Sequence, residues 1–281
     1  MREVSGIRIQ GGVEDVSKLV VSTNARPDSN GSVLRVTPES AGWEYVGFEV
    51  LRLADGRIVA RDTGGEEVCL VVLSGFCTVS TADDEWRGIG NRDSVFEGPP
   101  YAVYLPPGTD YQVEAVTYLE LAICSAPAEG GAAPRLIRPE DTERSTRGTG
   151  NMEREITNIL MEDQPAERLL VVEVITPNGH WSSYPPHKHD REALPDEAYL
   201  EETYYHRVQP EQGFALQRVY TEGGSLDETL TFYDGDVVLV PKGYHVVSAP
   251  PGYDLYYLNV MAGPVREWRI KNDPDHEWLL G

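Results

Sequence analysis

Two stretches of the sequence decide the fold: Trp181-Ser-Ser-Tyr-Pro-Pro-His-Lys-His-Asp190 and Gly235-Asp-Val-Val-Leu-Val-Pro-Lys-Gly-Tyr-His245. His187 and His189 are two residues apart, so on an extended strand their imidazoles leave the same face. The second stretch is an apolar strand that ends in a Pro-x-Gly turn, and His245 follows the turn directly. If the two stretches are neighbours in a small β-barrel, three imidazoles meet, and such a cluster suits a divalent transition metal.

An acidic ligand can come from either of two neighbouring glutamates between these stretches, Glu201 and Glu202. The alternation of the strand cannot choose between them, because the loop 191–200 resets it. We prefer Glu201, which shares a face with Thr203 and Tyr205 on an extended strand.

The predicted ligand set is therefore His187, His189, Glu201 and His245. Three nitrogens and one oxygen suit one divalent ion with positions left open for substrate. Zinc or manganese is expected first, and iron or nickel fits the same donors. We expect His206 to pack inside the protein instead of binding the metal.

The rest of the chain is predicted to be almost all β, because short apolar or alternating runs are separated by Gly and Pro, without a sustained helical period. Predicted strands lie at 43–53, 67–73, 76–80, 101–105, 111–115, 118–124, 169–176, 201–208, 213–220, 229–233, 236–240 and 255–260. Residues 1–40 are predicted to be loop-rich.

An internal repeat relates the two halves. Tyr101-Ala-Val-Tyr-Leu-Pro-Pro-Gly-Thr-Asp110 has the form of Asp236-Val-Val-Leu-Val-Pro-Lys-Gly-Tyr-His245, and the first half contains no histidine. We expect two copies of one β-barrel, of which only the second keeps a metal site. The predicted organisation is a first barrel at 1–130, a linker at 131–150 and a second barrel at 151–281.

Composition limits the classes of function. The chain has 281 residues, 40% of them hydrophobic and 25% charged, which is normal for a globular protein. Its net charge of −22 argues against nucleic acid and anionic membranes as partners. No apolar run approaches the ~20 residues of a membrane span, and the first residues lack the apolar core of a signal peptide. Cys69, Cys77 and Cys124 are expected to be reduced core thiols of a cytoplasmic protein.

Polar groups near the predicted ligands supply candidates for binding and catalysis. An acidic substrate needs a local cation in so acidic a protein, and the candidates are Lys188, Arg218 and Lys242. Glu173 interrupts an apolar strand, where it either faces solvent or enters the barrel as a base whose pKa is raised by burial. Tyr205 and Asp190 are the other candidates for moving a proton.

The motifs carry a family resemblance. The order His-x-His, Glu, Gly-x5-Pro-x-Gly-x-His resembles the metal site of cupins. The two opening stretches, together with Gly213-Phe-Ala-Leu-Gln-Arg-Val-Tyr220 and Pro251-Gly-Tyr-Asp-Leu-Tyr-Tyr-Leu-Asn-Val-Met-Ala-Gly-Pro264, resemble the 5-deoxy-glucuronate isomerase family of myo-inositol catabolism. The resemblance is dense over 148–270 and looser in the first half. It favours Glu201 as the ligand and makes His206 a substitution in the family pattern.

The resemblance implies a fold and an activity. The fold is a bicupin, that is, two jelly-roll barrels, and the reaction is isomerisation of 5-deoxy-D-glucuronate to 5-dehydro-2-deoxy-D-gluconate, an aldose–ketose rearrangement. The substrate is then a small anionic sugar acid, and a homo-oligomer is compatible with the sequence. Three alternatives stay open: an isomerase of the related 5-keto-4-deoxyuronate, a cupin dioxygenase that uses iron at the same ligands, and a cupin that binds a sugar acid without turnover.

Overall fold

The computed structural model describes residues 18–280, and strands make up almost all of the regular structure in this range. The strands up to residue 137 are β1 (Val20–Val21), β2 (Ser32–Val36), β3 (Gly47–Leu53), β4 (Ile58–Asp62), β5 (Glu66–Ser74), β6 (Cys77–Ser80), β7 (Glu85–Ile89), β8 (Ala102–Leu105), β9 (Asp110–Ala115), β10 (Leu119–Pro127) and β11 (Arg135–Ile137). One short helix, α1 (Pro38–Ala41), lies between β2 and β3.

The remaining strands are β12 (Glu143–Arg147), β13 (Arg154–Leu160), β14 (Leu170–Thr176), β15 (Trp181–Lys188), β16 (Asp190–Ala193), β17 (Glu197–Tyr199), β18 (Glu201–Gln209), β19 (Phe214–Tyr220), β20 (Asp227–Tyr233), β21 (Val237–Val240), β22 (Tyr244–Ser248), β23 (Asp254–Ala262) and β24 (Lys271–Asn272). Single 3₁₀ turns occupy Pro139–Asp141, Gly150–Met152 and Glu277–Leu280. No helix within 18–280 is long and apolar enough to cross a membrane.

The sheets confirm the internal repeat. The first half contains a six-stranded sheet, β11-β8-β5-β10-β3-β2, and a four-stranded sheet, β4-β9-β6-β7. The second half contains a five-stranded sheet, β20-β19-β22-β15-β24, and a seven-stranded sheet, β1-β21-β18-β23-β14-β13-β12, whose edge strand β1 comes from the part of the chain predicted to belong to the first barrel. The order β8-β5-β10-β3 corresponds to β21-β18-β23-β14, and β4-β9-β6-β7 corresponds to β15-β22-β19-β20. Each half is therefore a two-sheet barrel with the same strand order, and the fold is all-β.

The larger sheet of each half has two buried faces. On β5, Cys69 and Val71 belong to a core that also contains Tyr205 and Leu258 of the second half. Leu70, between them in sequence, belongs instead to the interior of the first barrel. The same alternation on β18 sends odd-numbered side chains to the core between the halves and even-numbered ones into the second barrel. A continuous apolar run such as that of β5 is the pattern expected of a strand with both faces buried.

Two glutamates connect the halves in a reciprocal way. The carboxylate of Glu201 accepts hydrogen bonds from the backbone N–H groups of Glu44, Tyr45 and Val46, at 2.8, 2.8 and 2.9 Å, just before β3. The carboxylate of Glu67 accepts hydrogen bonds from the N–H groups of residues 167–169, just before β14, at 2.6 to 2.8 Å. Because β5 and β3 correspond to β18 and β14, the two contacts are equivalent. We call this pair the reciprocal clasp.

Most predicted strands are confirmed to within two or three residues, but the structure also contains strands that were not predicted, among them β4, β7 and β13. The segment predicted as a linker, 131–150, contains β11 and β12, which join the larger sheets of the first and second halves. One difference in bounds has a cause in the reciprocal clasp. The strand predicted at 43–53 begins only at Gly47. The N–H groups of residues 44–46 bond to Glu201 and are not available to a neighbouring strand. Of the predicted loop-rich segment 1–40, residues 1–17 lie outside the described range, and the rest contains β1, β2 and α1. The three cysteines are free and buried, as expected.

Candidate active site

Neighbouring strands of the second barrel bring three histidines together. His187 on β15 pairs with His245 on β22 in the strand register, and His189 follows β15 by one residue. The ring centroids of His187 and His245 are 4.6 Å apart, and those of His189 and His245 are 5.2 Å apart. In the described part of the chain these three form the group whose ligand atoms all lie within 4.8 Å of one another. All three are buried, so the group could hold a metal ion.

The glutamate beside the histidines is Glu202, which corrects the prediction of Glu201. Glu202 Oε2 lies 3.0 Å from His189 Nε2 and 3.1 Å from His245 Nε2. The face that Glu201 shares with Tyr205 is the one between the halves, where its carboxylate takes part in the reciprocal clasp. The even-numbered face of β18 enters the barrel.

The hydrogen bonds of the histidines fit a metal ion. Each Nδ1 lies near a backbone carbonyl: that of Pro185 for His187 at 3.4 Å, of Leu200 for His189 at 2.9 Å, and of Gly243 for His245 at 3.3 Å. A carbonyl can only accept, so each Nδ1 carries the proton and leaves a lone pair on Nε2.

Within residues 18–280, no lysine or arginine forms an ion pair with Glu202 beside these lone pairs. His245 Nε2 is buried and lacks a hydrogen-bond partner in the described range, although Glu202 is close. Buried nitrogen and carboxylate lone pairs that face one another repel, and a divalent cation removes this repulsion. The donor set therefore fits such an ion.

The pKa shifts follow from burial and from these neighbours. Burial, together with His245 and His189, lowers the pKa of His187 well below its usual value, which favours the neutral, ligating form. Burial alone would raise the pKa of Glu202, but a proton on His245 or His189 beside it lowers the pKa, and the same contact raises the pKa of His189. A bound cation would take the place of that proton at the Nε2 atoms. The carboxylate is thus ionised at neutral pH, and His187 is neutral.

The cluster opens into a cavity of about 230 Å³ inside the second barrel. His187 and Glu202 line it, together with three hydroxyl-bearing residues, Ser183, Tyr204 and Tyr257. Ser183 Oγ lies 2.9 Å from the hydroxyl of Tyr204 and 3.5 Å from that of Tyr257. Burial raises the pKa of Tyr204 well above its usual value, so its hydroxyl stays protonated.

Ser183 has an unusual backbone conformation. Its φ of 50° lies in the left-handed region, which non-glycine residues seldom adopt. Such strain tends to cluster at functional sites, where the surrounding structure holds it in place. Here it places Oγ between two tyrosine hydroxyls on the cavity wall.

Two predicted catalytic residues face away from the cavity. Glu173 is buried in the contact between the halves, where Arg92 forms an ion pair with it at 3.1 Å and the hydroxyl of Tyr256 donates to it at 3.0 Å. Tyr205 packs against Phe48 with ring centroids 5.5 Å apart. The predictions for both residues are corrected, because their strands direct odd-numbered side chains out of the barrel.

Lys188 and Asp190 satisfy each other. Lys188 Nζ donates to Asp190 Oδ1 at 2.7 Å and to Glu197 Oε1 at 2.9 Å. Lys188 alternates with the two ligand histidines, so it leaves the opposite face of the strand. Neither residue lines the cavity, which corrects their predicted functions in substrate binding and proton transfer.

The predicted cations Arg218 and Lys242 are also absent from the cavity lining. Arg218 is paired at the surface with Asp227, at 2.9 Å, and Lys242 is exposed in its turn. The cations that do line the cavity are Arg147 and Arg154, on β12 and β13. Neither arginine was predicted from the sequence. The sequence places both arginines near the start of the second half, but this position alone does not indicate that they line the cavity.

His206 packs inside the barrel, as expected. Its ring stacks on Phe232 with centroids 3.7 Å apart, and its Nε2 lies 3.2 Å from Gln217 Oε1. Burial lowers the pKa of His206 to about 3, so the ring is neutral. It is not a member of the three-histidine group.

Comparison with known proteins supports this description. Residues 19–279 match the KduI/IolB family. The 5-deoxy-glucuronate isomerase of Geobacillus thermodenitrificans is 57% identical over 94% of this chain and 97% of its own length. That of Bacillus subtilis strain 168 is 45% identical over 94% and 99%.

Solved structures agree with the observed fold. An IolB-like protein from Salmonella typhimurium LT2 superposes with a TM-score of 0.91 at 48% identity, covering 94% of this chain and 99% of its own. Oxalate decarboxylase from Bacillus subtilis, at 14% identity, superposes with a TM-score of 0.62 over 92% and 80%, and this likeness concerns the fold alone. With a family match and close relatives over nearly its whole length, the chain belongs to the KduI/IolB family and is an isomerase with the bicupin fold.

Proposed function

We propose that the protein isomerises 5-deoxy-D-glucuronate to 5-dehydro-2-deoxy-D-gluconate. The observation that carries the proposal is the meeting of three buried imidazoles and Glu202 in a barrel cavity, in a chain 57% identical to a 5-deoxy-glucuronate isomerase. In this reaction a hydrogen leaves C2 of the aldose and is gained at C1, while a proton moves from the C2 hydroxyl to the C1 oxygen. No atom or electron enters or leaves overall.

The proposal includes one divalent metal held by His187, His189, His245 and Glu202. Three nitrogens and one oxygen suit zinc or manganese, and also iron or nickel. A metal held by these residues would supply Lewis-acid polarisation of the substrate carbonyl, which would make the neighbouring C–H bond more acidic.

The hydroxyl groups of the cavity wall bind the sugar in this proposal. Tyr204 stays protonated, so it donates a hydrogen bond to a substrate oxygen, and Ser183 accepts or donates as the neighbouring hydroxyl requires. Because Ser183 is held between Tyr204 and Tyr257, the three hydroxyls are already oriented before substrate enters. Such preorganisation reduces the entropy lost on binding.

The test is a direct assay of the purified protein after its metal content has been measured. Metal-loaded protein mixed with 5-deoxy-D-glucuronate should convert an aldehyde signal into a ketone signal by NMR, without consuming oxygen. Oxygen uptake with cleavage of the substrate would indicate a dioxygenase. Binding without conversion under any of the four metals would indicate a sugar-acid-binding protein. The cytoplasmic location and a homo-oligomer stay predictions.

Deuterium oxide separates two routes for the hydrogen. A proton route that exchanges with solvent incorporates deuterium at C1 of the original aldose, whereas a hydride shift carries the substrate's own hydrogen across. The same NMR assay reads both outcomes.

A further inference from the structure

Arg147 and Arg154 form an unusual pair on the wall of the cavity. They are direct partners in the register of β12 and β13, so two cations stand opposite each other on neighbouring strands. Like charges in this arrangement destabilise a sheet. Burial lowers the pKa of Arg154, and the positive charge of Arg147 lowers it further.

No carboxylate of the described residues lies within ion-pair distance of either arginine, since neither is among the pairs found there. By contrast, the buried Arg92 meets Glu173 at 3.1 Å, and Arg207 meets Asp234 at 2.8 Å. A half-buried guanidinium without a counterion is costly, and the protein as a whole is strongly acidic. The described residues therefore supply no anionic partner for these two arginines, and an anionic ligand could supply one.

Other contacts hold the pair in place. Arg154 Nη1 donates to the carbonyl of Met152 at 3.1 Å, which leaves four of its five N–H groups for a ligand. The guanidinium carbon of Arg147 lies 5.3 Å from the centre of the Trp268 ring, which also lines the cavity. Gly148 has a φ of +84°, and a Cβ there would clash with the carbonyl oxygen of Met152 and would meet Arg154 Nη1 at 2.8 Å. The turn between β12 and β13 thus leaves room for the guanidinium.

We propose that Arg147 and Arg154, which line the same cavity as His187 and Glu202, together bind the carboxylate of the substrate. Side chains opposite each other on an antiparallel pair have Cβ atoms roughly 5 Å apart, so both guanidiniums can reach one carboxylate. Guanidinium binds carboxylate in a bidentate way, and this selects an acid over a neutral sugar. The inference rests on the proposed function for the identity of the substrate, and on the unpaired cations for the site.

The test compares an acid with its neutral analogue. In Arg154→Met, kcat/KM for 5-deoxy-D-glucuronate should fall about 10- to 100-fold, mainly through KM, because charge-assisted hydrogen bonds are lost in ground and transition state alike. For 5-deoxy-D-glucose, which has CH₂OH in place of the carboxylate, Arg154→Met should equal the wild type. Arg147→Met should show the same selectivity with a smaller loss.

Arg144→Met is the matched control. Arg144 lies on the same strand as Arg147 but is exposed and paired with Glu155 at 3.8 Å, so its replacement should change neither substrate's kinetics. Equal losses on both substrates in Arg154→Met, or an unchanged KM for the acid in both cavity variants, would overturn the proposal.

A binding measurement separates this inference from the proposed function. In metal-free protein, which does not turn over, 5-deoxy-D-glucuronate should raise the melting temperature of the wild type but not of Arg154→Met. If the metal-loaded wild type fails to isomerise the acid while this difference persists, the proposed function fails and the anion site stands. If the wild type isomerises the acid while Arg154→Met is stabilised like the wild type, the anion site fails alone.

Discussion

Exchanging each of two neighbouring glutamates for glutamine should have opposite effects. We expect Glu201→Gln to lower the melting temperature of the protein without changing its metal content. We expect Glu202→Gln to lose metal while the metal-free protein keeps its stability. The substitutions are isosteric, so the difference comes from what each carboxylate contacts: backbone N–H groups of the other half for Glu201, and imidazoles for Glu202.

The size of the Glu201 effect follows from its three donors. Oε2 accepts from two N–H groups and Oε1 from one. The glutamine amide can direct its oxygen to the pair, which leaves its NH₂ against the N–H of Glu44. An unsatisfied buried donor costs about 1–3 kcal/mol, and losing the charge on the other two bonds costs about 1 kcal/mol each. The sum, about 3–5 kcal/mol, corresponds to a drop of roughly 6–10 °C for a chain of this size.

Calorimetry of the metal-free proteins and elemental analysis of the metal-loaded ones give the two measurements. Glu67→Gln is the control, because it breaks the equivalent contact of the first half. It should lower the melting temperature at least as much with metal retained, since the Tyr104 hydroxyl also donates to Glu67. Loss of metal from Glu201→Gln at an unchanged melting temperature would refute this assignment of the two residues.

Three further predictions follow from other contacts. Chelation should lower the melting temperature of the wild type by about 5 °C, since a ligand at 100 times its Kd stabilises by about 2.7 kcal/mol, and should have no effect on His245→Ala. Glu173→Gln should destabilise the protein by breaking a buried ion pair with Arg92, with about 3 kcal/mol lost, yet leave kcat and deuterium incorporation unchanged. Burial raises the pKa of Cys69 and Cys77 from 9.0 to about 12, so both should resist a thiol reagent at pH 8 until the protein unfolds. The unfolded chain releases these protons at lower pH than the folded one, so stability should fall as pH rises from 9 toward 12, measurable by denaturant titration.

The sequence was sufficient for the strands and the repeat because both depend on local patterns. Alternation and Gly/Pro punctuation located strands such as 201–208 within a residue, and the two Pro-x-Gly turns identified corresponding strands, β8 and β21. His187 and His245 were expected to meet because each stands beside a recognisable motif. These signals need no knowledge of which face of a strand is inside the barrel.

Most of the errors at the site concern which face of a strand enters the barrel, whereas Lys242 lies in an exposed turn. In an ordinary barrel one face is buried, but β18 and β14 have the barrel on one side and the other half of the protein on the other. An apolar, alternating run then looks the same on both faces. The choice of Glu201, Tyr205 and Glu173 took the face between the halves for the interior. Arg147 and Arg154 were missed for a related reason, since only strand pairing places them together.

The repeat holds information that can resolve such choices once the strand register is known. Val68 of the first barrel corresponds to Glu202 of the second, because each of these two residues pairs with the residue just before a Pro-x-Gly turn. Glu67 therefore corresponds to Glu201. Asp62 and Asp110 pair with each other as His187 and His245 do. Glu67 and Glu201 carry the same side chain at corresponding positions, and both bind backbone N–H groups of the other half, a contact that both barrels need. A position that differs does what only one barrel does, and in the second barrel those positions are the imidazoles and the carboxylate that face one another.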